Sequence, residues 1–203
     1  MPVTLIIIAI TCVVSFAAFS NPRLIERLIL WPPAVTRRKQ YDRLLTCGFI
    51  HADFGHLLFN MFTFYSFGGF IERLFNPAIG PIGYALFYAA GIVISVLPSY
   101  LQHRNDSNYR SLGASGAVSA VLFAYILIKP WSMLLIFVVP VPAILFAVAY
   151  LAYTIYMDRM RTDHINHSAH LWGAVYGIVF TIALEPRVVG HFFEQLMQPS
   201  FRM

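Results

Sequence analysis

The chain has 203 residues, 59% hydrophobic and only 11% charged, with a mean hydropathy of +0.68, which excludes an ordinary water-soluble domain and leaves a protein that crosses a bilayer repeatedly. The net charge of +5 does not indicate a nucleic-acid partner, because Lys and Arg sit between apolar runs and form no long block with interleaved aromatics; such spacing suits anionic lipid headgroups instead. Two cysteines, Cys12 and Cys47, specify neither a disulfide framework nor a metal knuckle and read as packing residues.

Crossing about 30 Å of hydrocarbon takes about 20 residues. Charges cut the sequence into six candidate spans: Val3 to Ser20, His56 to Ile71, Ile79 to Leu101, Ser115 to Ile128, Ser132 to Met157 and Ser168 to Leu184. The expected fold is therefore all-α, a polytopic membrane bundle forming one domain over residues 1–203. The first run resembles a signal sequence near Ala17 to Ser20, but no Lys or Arg precedes it, and it is kept as a span. Residues 21–55 form the longest connection, where Trp31-Pro32-Pro33 and Arg37-Arg38-Lys39 alternate with short apolar clusters, as in a segment lying in the membrane interface. Pro140 and Pro142 fall inside the fifth run, and their missing amide donors predict a kinked or locally opened helix.

Polar residues inside these runs share a depth. Ser115 precedes the end of its run at Ile128, His170 precedes Leu184, and His56 and Asn60 precede Ile71 by amounts that place all four about 17 to 23 Å from one face, at about 1.5 Å of rise per residue. They belong to one layer about 10 Å beneath the opposite surface. Ser115 to Ile128 gives only about 21 Å of helix, so the polar stretch Asn105 to Leu112 must fill the remaining depth, and irregular backbone there predicts a wet pocket above Ser115.

A serine becomes a nucleophile when a base takes its proton, and histidine is the usual base. Gly113 and Gly116 let backbone and substrate approach Ser115, and the free amides at its helix N-terminus suit a developing oxyanion. His56 and Asn60, one turn apart on one helix face, can add donors to the same oxygen. Gly173 and Gly177 carry the four-residue interval that brings membrane helices into close contact. Taken singly, Ser115 reads more readily as a small-residue helix contact, and His170 or Asn60 as an interhelical hydrogen-bonding position; their joint order and depth reverse that preference.

These residues resemble the rhomboid intramembrane serine proteases. Gly113-Ala114-Ser115-Gly116 is similar to the family's G-x-S-G motif, and Ala169-His170 with Gly173 and Gly177 to its A-H-x-x-G-x-x-x-G motif. His51, His56 and Asn60 resemble its H followed by H-x-x-x-N, and Gly68-Gly69-Phe70-Ile71-Glu72 its G-G-x-x-E. The resemblance implies a six-helix rhomboid-like bundle, a Ser115–His170 dyad, and an oxyanion site of His56, Asn60 and the Ser115 amide. It further implies hydrolysis of peptide bonds in or near transmembrane segments of protein substrates, with no metal or organic cofactor, in a membrane taken to be the bacterial inner membrane. The fifth helix would resemble the family's lateral gate. Some members carry an aromatic residue four positions after the nucleophile that packs on the histidine; here that position is Ser119, and the sequence names no residue to orient His170. Glu72 reads as a structural cap or pairing group near Arg73, and His51 as a loop anchor.

Two other classes compete. His164, His167 and His170 recur every three residues, as in a histidine-lined metal transporter, but no intramembrane carboxylate accompanies them. A catalytically inactive rhomboid-like binding protein is the third reading, disfavoured by the presence of both Ser115 and His170. Topology signals disagree: the connections on the site side hold ten Lys or Arg and the opposite side four, which places the site toward the cytoplasm, whereas the resemblance implies the reverse. Six of the ten lie in the interfacial segment, and the resemblance is favoured.

Overall fold

The computed structural model describes residues 2–136, 138–160 and 165–199. The chain is helical almost throughout: α1 (Val3–Phe19), α2 (Pro22–Leu28), α3 (Pro32–Arg38), α4 (Arg43–Thr46), α5 (Phe54–Gln102), α6 (Ser115–Ile128), α7 (Ala143–Met160), α8 (His167–Leu184) and α9 (Val188–Met197). Among the described residues three helices, α5, α7 and α8, are long and apolar enough to cross a membrane, while α1 and α6 are apolar but shorter.

Local chemistry sets most boundaries. Asn21 caps α2 by accepting from Leu24 N, with Pro22 at the first helical position, and Pro32 and Pro33 open α3 in the same way. The interfacial segment thus folds into three short helices and a 3-10 turn. Arg43 anchors it: buried at 4% exposure, its guanidinium donates to the carbonyls of Glu26 and Ile29 at 2.7 and 2.8 Å and to Gln40 Oε1 at 2.6 Å.

The second and third expected spans are the two arms of α5. The stretch expected between them is helical up to Gly80, whose φ of 66° and ψ of 177° break the helix just before Pro81. Glycine is required there, because the left-handed backbone region strains any residue with a Cβ. The first arm carries Glu72, which caps α1 by accepting from Val3 N, Thr4 N and Thr4 Oγ1 at 2.6, 2.9 and 2.7 Å; its partner is this helix end rather than Arg73.

The expected fifth span is corrected. Ser132 to Met157 is not one kinked helix: Met133–Ile136 and Val139–Pro142 form an antiparallel hairpin (β1 and β2), and α7 begins only at Ala143. Pro140 pairs with Leu135 and Pro142 with Met133. Both prolines therefore fall at the same phase of the ladder, where a missing amide costs no interstrand bond. β-branched Val139 and Val141 between them favour the extended chain. The all-α expectation holds apart from this hairpin, and a kink at these prolines plays no part in α7. The sequence reading also missed α9, whose His191 Nε2 lies 3.0 Å from the Ile128 carbonyl and whose Gln195 carbonyl accepts from Trp131 Nε1 at 3.0 Å.

α6 is the central post. Every residue from Gly116 to Leu127 is buried except Tyr125, as expected of a helix apolar on all sides. The arms of α5 and α8 surround it, and Phe64, Phe75, Tyr84, Phe87 and Tyr88 fill the space between the arms and α1, each at most 2% exposed. α7 is held differently: only Ala143, Ala147 and Thr154 are buried, while Leu145, Val148 and Tyr156 are more than half exposed.

Candidate active site

The loop that leads into Ser115 is tied down residue by residue. Ser111 exchanges backbone bonds with Leu30 at 3.0 and 3.2 Å, and Gly113 N donates to the Cys47 carbonyl at 2.9 Å. Ala114 N donates to Nε2 of His51 at 3.3 Å. With Nε2 accepting, the ring proton sits on Nδ1, which donates to Ser15 Oγ at 3.0 Å, and that hydroxyl donates to the Phe49 carbonyl at 3.0 Å. His51 is fully buried. Burial first, and the adjacent His56 second, push its pKa down to about 3, so it stays a neutral strut. The Cys47 thiol beneath the loop is pushed up to about 12 by burial, and it serves packing, not nucleophilic chemistry.

Gly113 has a φ of 115°, and a Cβ there would meet His56 Cε1 at 2.7 Å and Nε2 at 2.9 Å. The missing side chain is what lets the His56 imidazole pack on the backbone two residues before Ser115. His56 itself stands one turn into α5, whose N-cap Asp53 accepts from His56 N at 2.8 Å. Asn60, buried at 2% exposure, commits one amide hydrogen to the His56 carbonyl at 2.9 Å and keeps the other.

Ser115 opens α6. The first bond of the helix back to the loop is Val118 N to Ala114 O at 3.0 Å, so the amides of Ser115, Gly116 and Ala117 are the donors that a helix N-terminus leaves for other acceptors, at its positive end. α8 meets this turn at backbone distance. A Cβ on Gly173 would collide with the Gly116 carbonyl, one on Gly177 with Ala120, and one on Gly116 with Ser95 Oγ, while lying 3.3 Å from the Ala169 carbonyl. The glycine interval thus presses α8 onto α6 and brings the turn that carries His170 against the turn that Ser115 opens. The Ser115, His170 and His56 side chains are half-buried.

Three contributors escaped the sequence reading. Asn166 caps α8 by accepting from Ala169 N at 3.0 Å, also accepts from Ser99 Oγ at 2.9 Å, and donates to Ser111 Oγ at 3.0 Å, knotting α8, α5 and the nucleophile loop together. Its N-cap chemistry was readable; its long-range partners were not. Asp53 carried the same cap signal three residues before His56. Tyr150 of α7 stacks on His170, ring centroids 6.1 Å apart at 20°, and its hydroxyl is 2.9 Å from Ser119 Oγ. A polar cavity of about 490 Å³ lies at this end, walled by Ser99, Gln102, Asn108, Asp158, Asn166 and His167. Its walls stand one helical turn from His170 and do not include Ser115. Of the histidine triplet, His167 and His170 have ring centroids 5.9 Å apart, edge to face; His164 lies outside the described residues.

Comparison with known proteins gives this geometry its context. The family model for the Rhomboid domain matches residues 38–187. RHOMBOID-like protein 12, mitochondrial, of Arabidopsis thaliana is 32% identical over 148 residues, covering 67% of this chain and 44% of its own length. YdcA of Bacillus subtilis (strain 168), named as a candidate rhomboid protease, is 28% identical over 186 residues, 89% of this chain and 87% of its own length. Rhomboid protein 1, mitochondrial, of Saccharomyces cerevisiae is 28% identical over 149 residues, 68% of this chain and 40% of its own length. The chain thus spans less than half the length of the mitochondrial relatives it matches. Its apolar helices make it an integral membrane protein, and the match, running from the interfacial segment past the end of α8, shows that the chain belongs to the rhomboid family.

Proposed function

We propose that the chain is an intramembrane serine endopeptidase that cleaves peptide bonds in or near transmembrane segments of membrane-protein substrates. The observation that carries this reading is the backbone-level contact of α8 with α6, Gly173 on Gly116, which sets the His170 and Ser115 turns side by side. In the reaction, His170 takes the Ser115 proton as Oγ attacks the scissile carbonyl. The oxyanion is met by the Ser115 amide, the His56 imidazole and the remaining Asn60 amide hydrogen. His170 then protonates the leaving amine, and water attacks the acyl-enzyme with His170 again as base, releasing Ser115. The polar cavity beside His167 supports a route for that water.

Six crossings complete the proposal: α1, the two arms of α5, α6, α7 and α8. The arms of α5 measure about 39 and 33 Å, each enough for one crossing. The short α6 reaches the surface through the loop of residues 103–114. A bacterial inner membrane fits the Bacillus relative, which matches nearly end to end.

Purified protein with a fluorogenic transmembrane peptide tests the reading. Ser115→Ala abolishes turnover and a chelator leaves it unchanged; activity that survives the substitution, or that zinc restores after chelation, overturns the serine mechanism. His56→Ala lowers kcat by about 10²–10³-fold, the usual effect of losing one oxyanion donor.

A further inference from the structure

The sequence names no side chain to hold the His170 ring, because position 119 is serine. The structure supplies one from a different helix. Tyr150 lies on the narrow face by which α7 touches the bundle, in the series Ala143, Ala147, Tyr150 and Thr154, three of which are buried and which repeat at helical spacing. Its ring is nearly parallel to the His170 imidazole at 6.1 Å, within the range of an offset stack. The other ring neighbours are Phe146 at 5.5 Å and Phe123 of α6 at 5.6 Å. The hydroxyl of Tyr150 meets Ser119 Oγ, one turn below Ser115, at 2.9 Å. Among the described residues this is the one side-chain hydrogen bond that ties α7 to the rest of the bundle.

We propose that Tyr150, tethered by Ser119, is a positioning residue for the His170 imidazole, so that docking of α7 helps to align the base. The proposal rests on the Ser115–His170 reading above. Its physical content is that the His170 ring, on the first turn of α8, takes part of its orientation from α7, the least buried of the three long apolar helices. An excursion of α7 that widened the side of the bundle would withdraw the stack and misalign the base in the same motion. Admission of a substrate helix and readiness to cleave would then be coupled through one aromatic ring. The serine at position 119 is part of the device: it has room for the tyrosine hydroxyl where a larger side chain would occupy that space.

The test measures covalent labelling of Ser115 by a fluorophosphonate probe in the full-length protein, together with kcat and KM on the transmembrane peptide. Tyr150→Ala is expected to slow labelling and lower kcat by about threefold to tenfold, the usual worth of an aromatic stack, with KM little changed. Tyr150→Phe, which keeps the ring and loses the tether, retains most of the rate, and Ser119→Ala matches it. Ser119→Phe added to Tyr150→Ala returns a ring to the vacated space from α6 and recovers labelling. Leu145→Ala, on the exposed side of α7, labels as the parent does. Parent and Tyr150→Ala proteins that label equally fast overturn the positioning role alone, as does a loss shared by Leu145→Ala. A parent protein that resists the probe overturns the serine mechanism and this proposal with it. Should Tyr150→Ala not fold, Tyr150→Leu replaces it under the same criteria.

Discussion

His51 shows how a residue can be legible in type and not in role. The spacing of His51, His56 and Asn60 marked all three, but only the structure separates them: His56 packs on Gly113, whereas His51 hands the Ala114 amide to Ser15 and the Phe49 carbonyl. That role has a pH signature. The folded ring stays neutral down to about 3, against an ordinary value of 6.5 in the unfolded chain, so unfolding takes up a proton between those limits. Stability is therefore whole above pH 6.5 and falls as the pH drops toward 3, by about 1.4 kcal/mol per unit while this group alone is considered. Denaturant unfolding between pH 7 and 5 should show that decline in the parent and a flatter one in His51→Gln; equal slopes would remove the strut assignment. Tyr150 is the opposite case, invisible in the sequence because it meets His170 across a chain separation that no short motif records.

At the level of elements, helices whose ends carry their own signals were legible: the starts of α6 and α8 lie at or within one residue of Ser115 and Ser168 as expected. The interfacial helices were not resolved, though Asn21-Pro22 and Trp31-Pro32-Pro33 hold ordinary start signals. The hairpin was misread because an apolar run with alternate prolines satisfies a broken helix and an extended ribbon equally until its pairing partner is known. The glycine interval of α8, by contrast, did what its spacing said. Gly177 tests it cleanly, since it lies two turns from His170 and a Cβ there would stand 2.7 Å from the Ala120 carbonyl carbon and Cα. Backbone cannot yield as a side chain can. Gly177→Ala should therefore lower thermal stability by about 1 to 3 kcal/mol through overpacking and separate the two first turns, slowing probe labelling of Ser115. A variant with unchanged melting and labelling would show that α6 and α8 are not held at backbone distance.

The molecule as a whole has two unlike ends. One carries α2 to α4, the loop of residues 103–114, the polar cavity and the turns of Ser115 and His170; the other carries the Gly80 bend, the β1–β2 hairpin and α9. Charge count and family orientation assign these ends to opposite compartments, and the structure bears on how much the count weighs. Six of the ten basic residues on the site side belong to the interfacial segment. There Arg43 is sunk among carbonyls, Arg27 is held by Asp42 at 2.6 Å, and Arg38 lies 5.3 Å from the Trp31 ring. Pairing also removes Arg187 on the other side, which Glu185 holds at 2.7 Å. The excess is thus carried by a folded unit attached to the bundle, not by free loop charges flanking a span, and orientation rules speak chiefly to the latter. We therefore expect the site end to face away from the cytoplasm. Single cysteines placed in a Cys12→Ala, Cys47→Ala background test this with a membrane-impermeant maleimide: Asn105→Cys should label in intact cells and Val138→Cys, 85% exposed on the hairpin, only after permeabilisation. The reverse pattern would mean that the basic residues win despite their partners, and that the cavity beside His167 draws its water from the cytoplasm.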